Sequence, residues 1–113
     1  MPKLLIAKIK EIILGKKYEL SLVFCSAQKM KELNRIYRKI NKATDILSFS
    51  LSKTSGEIFI CKTEAKKKIM EFNMTYNNFL VFLLIHGLVH LKGYDHGPKM
   101  EKIEIKFRKK FGV

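Results

Sequence analysis

The chain has 113 residues, 47% of them apolar, with 8 Phe, 4 Tyr and no Trp. That length holds one hydrophobic core and not two, and that composition excludes intrinsic disorder. The formal net charge of +13, from 23 basic and 10 acidic residues, predicts a polyanionic partner, most simply nucleic acid, with a lysine-rich solubilising surface as the plain alternative.

Residues 3–14 read as an amphipathic helix, with Leu5, Ile9, Ile12 and Ile13 on one stripe, lysines opposite, and Gly15 as its stop. The same segment lacks the uninterrupted apolar core and small-residue cleavage site of a signal peptide. Residues 18–25 alternate strictly, with Tyr18, Leu20, Leu22 and Phe24 on one face, as a half-buried strand does. Ser26 is placed to cap a second helix over 27–37, whose buried stripe is Met30, Leu33, Ile36 and Tyr37. A basic connection at 38–43 leads to a second strand at 44–51. A Ser/Thr/Gly turn at 53–56 leads to a third at 57–61, and so short a connection predicts antiparallel neighbours. Cys25 and Cys61 each end a predicted strand. Two cysteines are too few for a disulfide framework, so both read as reduced and half-buried, with metal ligation the less favoured alternative.

A third helix spans 63–72 and ends at Asn73. Thr75 then caps a central helix over 76–92, apolar nearly all round between Phe79 and Leu91 and therefore the buried spine of the fold. Its longest apolar run, Phe79 to Ile85, falls far short of the roughly 20 residues that span a bilayer. A cytoplasmic protein with no membrane partner is the expectation. Pro98 opens a last helix in which Met100, Ile103, Phe107 and Phe111 face inward, with the lysines, Arg108 and the glutamates outward. The predicted class is α+β: a small mixed sheet of three strands, or four, packed with about five helices around the central one, as a single domain over 1–113.

All three histidines lie between residues 86 and 96. His86 and His90 are four apart, so on a helix both rings leave one face, with Cβ atoms roughly 5–6 Å apart. Gly93 ends the helix, and the Tyr94-Asp95 turn can swing His96 back toward the pair. That is the pattern of a three-histidine metal site with an open coordination position. Burying imidazoles in an apolar helix costs free energy unless each nitrogen has a partner, and a metal ion supplies one. The spacing matches the metzincin frame, but Gly87 stands where those proteases carry their catalytic Glu.

The segment His86-Gly-Leu-Val-His90-Leu-Lys-Gly93-Tyr-Asp95-His96 closely resembles the defining motif of the YbeY family, bacterial metal-dependent endoribonucleases of ribosomal RNA maturation. Three further segments resemble the family's, in its order: Leu33-Asn34-Arg35-Ile36-Tyr37-Arg38, Thr44-Asp45-Ile46-Leu47-Ser48-Phe49 and Gly56-Glu57-Ile58-Phe59-Ile60-Cys61. The chain departs from the pattern in its first segment, where the family has an extra strand, in a shorter loop between the last two motifs, and at Ala43 and Ser50, where the family has prolines.

The resemblance implies a single-strand-specific endoribonuclease acting in small-subunit ribosomal RNA 3′ end maturation, ribosome biogenesis and quality control. Its partners would be RNA, chiefly ribosomal RNA, and the ribosome or ribosomal proteins. His86, His90 and His96 would hold one Zn2+ per chain, a metal that suits nitrogen ligands and acidifies bound water. Arg38 would stand at the mouth of the cleft and stabilise transition-state charge. Asp95 would orient a ligand imidazole or handle protons. Asp45 and Ser48 lie in the resembling strand, Asp45 as readily a turn-tying residue as a site residue. Tyr37 and Tyr94 can stack on an unpaired base, with core packing the alternative for Tyr37. Lys39/Lys42, Lys66 to Lys68 and Lys106 to Lys110 are candidate phosphate contacts. Two other readings remain: a non-catalytic zinc-containing ribosome-associated factor, and a metallopeptidase-like hydrolase.

Overall fold

The computed structural model describes residues 1–113. Chain order is α1 (Lys3–Leu14), β1 (Glu19–Phe24), α2 (Ala27–Arg38), β2 (Ile46–Ser52), β3 (Ser55–Ile60), α3 (Lys62–Phe72), α4 (Tyr76–Leu91) and α5 (Pro98–Phe111). Local chemistry accounts for most of the ends. The Ser26 and Thr75 side chains accept the backbone N–H groups of Lys29 and Asn78, 3.1 Å and 3.2 Å away, which satisfies orphan donors at the starts of α2 and α4. Asn73 closes α3 in the left-handed region at φ 50°.

The three strands lie in the order β1-β3-β2, with β1 parallel and β2 antiparallel to β3. The α+β class and the antiparallel β2–β3 hairpin are as expected. Side chains alternate across the sheet and so divide it between two helical layers. Leu47 packs with Met30 and Leu33 of α2 on one face. Ile58 and Ile60 join Ile9 and Ile13 of α1, Met100 of α5 and the body of α4 on the other. Nine residues of α4 are buried, from Phe79 to Val89, which makes it the spine around which α1, α3, α5 and the sheet close. No single helix is long and apolar enough to cross a membrane. Both cysteines are free thiols, Cys61 buried and Cys25 half-buried.

The predicted stripes fail at two sheet margins. α2 buries Met30, Leu33 and Asn34, whereas Ile36 is 52% and Tyr37 64% exposed. The sheet is only three strands wide, and Tyr37, in the last turn of α2, lies at its margin with the Phe49 ring 5.0 Å from its own. Tyr37 is therefore not a core residue. Phe24 is exposed for the same reason: it ends the edge strand β1, and its ring is covered by the Lys62 ammonium 4.3 Å away.

Candidate metal centre

The last two turns of α4 present His86 and His90 on one face, as four-residue spacing requires. Gly93, at φ +110°, then reverses the chain in a conformation that side chains with a Cβ rarely adopt. His96 comes back over the helix end. The Nε2 atoms of His90 and His96 stand 3.2 Å apart, and one ligand nitrogen from each of the three rings lies within 4.8 Å of the others. A divalent ion holding imidazole nitrogens at about 2.0–2.1 Å in tetrahedral geometry sets neighbouring donors roughly 3.3 Å apart. The cluster is built to that dimension on its His90–His96 edge, and its other two edges lie within 4.8 Å. The donor set fits a divalent metal ion. It has three members, where structural sites close with four.

Two features prepare the imidazoles for that task. The Glu104 carboxylate on α5 accepts a hydrogen bond from His86 Nδ1 at 2.5 Å, with only 14% of its side chain exposed. The proton is thereby fixed on Nδ1, and the Nε2 lone pair is left to face the cluster. Burial, followed by the like charges of His96 and His86, holds the His90 pKa below its ordinary 6.5, against weaker opposing effects of Asp95 and Glu104. His90 is thus an unprotonated donor near neutral pH.

A cleft of ≈ 460 Å³ opens over the histidines, and Arg38, Asp45 and Ser48 line it with all three rings. Arg38 enters from the C-terminal end of α2. Asn34, one turn earlier and buried, donates from Nδ2 to the Lys42 carbonyl at 2.8 Å and pins the loop that follows. Asp45 does structural work as well. Its carboxylate pairs with Lys68 at 3.2 Å, and its carbonyl accepts the Cys61 N–H at 2.9 Å. Ser48 approaches α4 beside Gly87. A Cβ added at Gly87 would stand 2.9 Å from Ser48 Oγ and from Ile58 Cδ1, and 3.0 Å from Ile46 Cδ1. A glutamate here, as in the metzincin frame, would drive its side chain into the sheet, on which this face of α4 directly lies.

Asp95 is exposed in the turn before His96, and it is hydrogen-bonded to none of the histidine rings. The carboxylate that orients a ring is Glu104, which the sequence reading turned outward together with Arg108. The structure corrects both: Glu104 and Arg108 lie four residues apart on the α5 face that continues from buried Met100, and Arg108 lies 4.8 Å over the Phe82 ring. The available signal was that spacing, Met100, Glu104 and Arg108 at i, i+4 and i+8. Among the basic clusters, Lys67 is taken up by Glu64 at 2.7 Å and Lys68 by Asp45, whereas Lys39 and Lys42 stand exposed on the loop after Arg38. Tyr94 is half-buried, with Lys99 5.9 Å over its ring.

Comparison with known proteins agrees with this geometry. The profile of the family Endoribonuclease YbeY matches residues 2–111. The Endoribonuclease YbeY of Thermosipho melanesiensis is 36% identical over 112 residues, covering 88% of this chain and 81% of its own. That of Sulfurimonas denitrificans is 37% identical over 102 residues, covering 84% and 73%. A solution structure of a Thermotoga maritima protein superposes with a TM-score of 0.67 at 30% identity, over 93% of this chain and 75% of the other. The match runs through every segment that builds the cleft, from the arginine at the end of α2 to the histidines of α4 and the turn beyond it: the chain belongs to the YbeY endoribonuclease family.

Proposed function

We propose that this chain, working as one unit over residues 1–113, cuts single-stranded RNA at the cleft over His86, His90 and His96, with ribosomal RNA as its chief substrate and the ribosome as the partner that substrate implies. It is a metal-dependent endoribonuclease of ribosomal RNA processing, as its family is. The observation that carries the reading is the cluster of three imidazoles within 4.8 Å, sharing one cleft with Arg38. One zinc ion, which those nitrogens suit, would supply Lewis acidity and a water acidified to near neutral pKa.

The chain's own groups do the rest. Glu104 keeps His86 in one tautomer and one orientation. Arg38 offers a planar pair of donors to the non-bridging oxygens of a phosphodiester and stabilises the charge that grows there in the transition state. Lys39 and Lys42 draw the strand toward Arg38 in a salt-dependent way. Asp95, exposed and without an ion-pair partner, suits proton handling at the edge of the cluster.

A structural zinc in a non-catalytic factor is the weaker reading, because three protein donors leave a coordination position open. A peptidase is weaker still, because Gly87 supplies no carboxylate and its surroundings admit none without displacement. The test pairs metal analysis with cleavage of single-stranded and duplex RNA, with and without chelator. The unaltered protein is expected to cut single strands and to stop when chelated. His90→Ala loses both metal and cleavage. Undiminished cutting by a metal-free His90→Ala protein would sink the assignment.

A further inference from the structure

Two clefts meet at the histidines. The second, of ≈ 530 Å³, opens where the end of α3 approaches α4 and α5, and it shares His86 and His96 with the first. Phe72 stands 45% exposed at its rim, its ring 5.4 Å from that of Phe82. Ile105, 41% exposed, lies on the α5 side. Arg108 lies over Phe82, and its buried Nε has no hydrogen-bond partner. Glu101 and Glu104 add two carboxylates.

Charge separates the two clefts. In the first, Arg38 faces a single acid, Asp45, which Lys68 already pairs. In the second, two carboxylates stand against one guanidinium. A phosphate is drawn to the first and repelled from the second. An exposed aromatic ring with carboxylate acceptors and a guanidinium donor nearby suits a flat, uncharged heterocycle with polar edges. A nucleobase has that chemistry: a π-face for Phe72, amino groups for Glu101 and acceptor atoms for Arg108.

We infer that the second cleft takes one unpaired base of the RNA strand, next to the phosphate held at the histidines, with Phe72 as its stacking platform. The inference rests on the endoribonuclease reading and adds the origin of its strand preference. A base in a duplex is stacked and paired, and reaches this cleft only if flipped out. A single strand offers it freely.

The absence of tryptophan from the chain gives a direct probe. Phe72→Trp places a sole indole at the rim. The metal-loaded variant is mixed in a stopped-flow instrument with a single-stranded RNA hexanucleotide, so that the first emission change precedes cleavage, and with an abasic chain of the same length. The hexanucleotide is expected to quench the indole and the abasic chain is not. Phe72→Leu keeps the apolar bulk against Phe79 and Phe82 and removes the aromatic face. Its KM for single-stranded RNA is expected to rise on the order of tenfold, with metal content unchanged and the melting temperature lowered by only a few degrees through the loss of the Phe79 and Phe82 ring contacts. If the labelled hexanucleotide binds by anisotropy without altering the indole emission, and Phe72→Leu cuts with unchanged KM, the cleft does not hold a base. If the unaltered protein neither binds nor cuts RNA, the endoribonuclease reading falls and the cleft assignment with it.

Discussion

Arg38 and Glu104 reach the histidines from opposite walls, one from the end of α2 and the other from the second turn of α5. Arg38 is exposed and faces an open cleft. Glu104 is largely buried and already bonded to a ring. An exposed cation at the mouth acts on what enters, whereas a buried acid acts on what is resident. On the proposed reading Arg38 acts on substrate and Glu104 on the histidines that would hold the metal. The two should separate cleanly by readout.

Of the two walls, the larger effect belongs to Arg38. Arg38→Ala is expected to lower kcat by about 10²–10³, the usual consequence of removing one donor from a charge-stabilising site, while metal content stays the same. Arg38→Lys keeps a charge but loses the planar fork, so it should recover only part of that rate. Metal loss in either variant would break the division between the walls.

Glu104→Ala should do the reverse. Metal affinity falls by about 10- to 100-fold, as is typical when the partner of a ligating imidazole is removed, and saturating metal restores most of the rate. Competition against a chromophoric chelator measures the first and a metal titration of cleavage the second. Acid attacks the same wall. Metal binding needs neutral imidazoles, so affinity should fall as pH drops below about 6.5. The metal-free fold should weaken in the same direction. The folded-state pKa of His90 lies below its ordinary 6.5, so the unfolded chain takes the proton first. The stability from neutral His90 is complete above 6.5 and is lost as pH falls from there. Melting in chelator at a series of pH values between 7.5 and 5.5 checks the sign.

The legibility of the two walls from sequence also differs, for a physical reason. Helix caps, the glycine after α4 and the short turn between β2 and β3 are local signals, and so are His86 and His90 at i and i+4. What local signals omit is which flank of an element receives cover. Periodicity put Ile36, Tyr37 and Phe24 inside, because nothing in it reveals which margins of the sheet are left uncovered. It put Glu104 and Arg108 outside, because charged side chains are rarely buried unless paired, and the partner of Glu104 lies on another helix, 18 residues away in sequence. Arg38 was found only through family resemblance, since an arginine at a helix end has a sufficient local explanation in the helix dipole.

Gly87, between the walls, carries a smaller effect. Alanine in place of glycine gains about 1 kcal/mol of helix propensity. The new methyl, however, meets three side-chain ends at 2.9–3.0 Å, and overpacking of this kind costs roughly 1–3 kcal/mol. Net destabilisation of about 1 kcal/mol is expected for Gly87→Ala, and a much larger loss for Gly87→Glu, which would force a carboxylate against the sheet. A stable Gly87→Glu protein would mean that α4 lies farther from β2 and β3 than the structure has it.

Asn34 gives the finest division, because its two ends oppose each other. Its Nδ2 donates to the Lys42 carbonyl at 2.8 Å, but its buried Oδ1 has no partner. Asn34→Ala gives up one hydrogen bond, worth about 0.5–1.5 kcal/mol, and also removes an unpaired acceptor whose burial is itself unfavourable. The stability change should stay under about 1 kcal/mol by denaturant titration. Asn34→Asp keeps the shape but turns the donor into an acceptor facing a carbonyl, so it should cost more than alanine does. Since Asn34 pins the loop directly after Arg38, both variants should lower cleavage more than metal affinity. A fall in metal affinity instead would tie the α2 wall to the ligands and erase the contrast with Glu104.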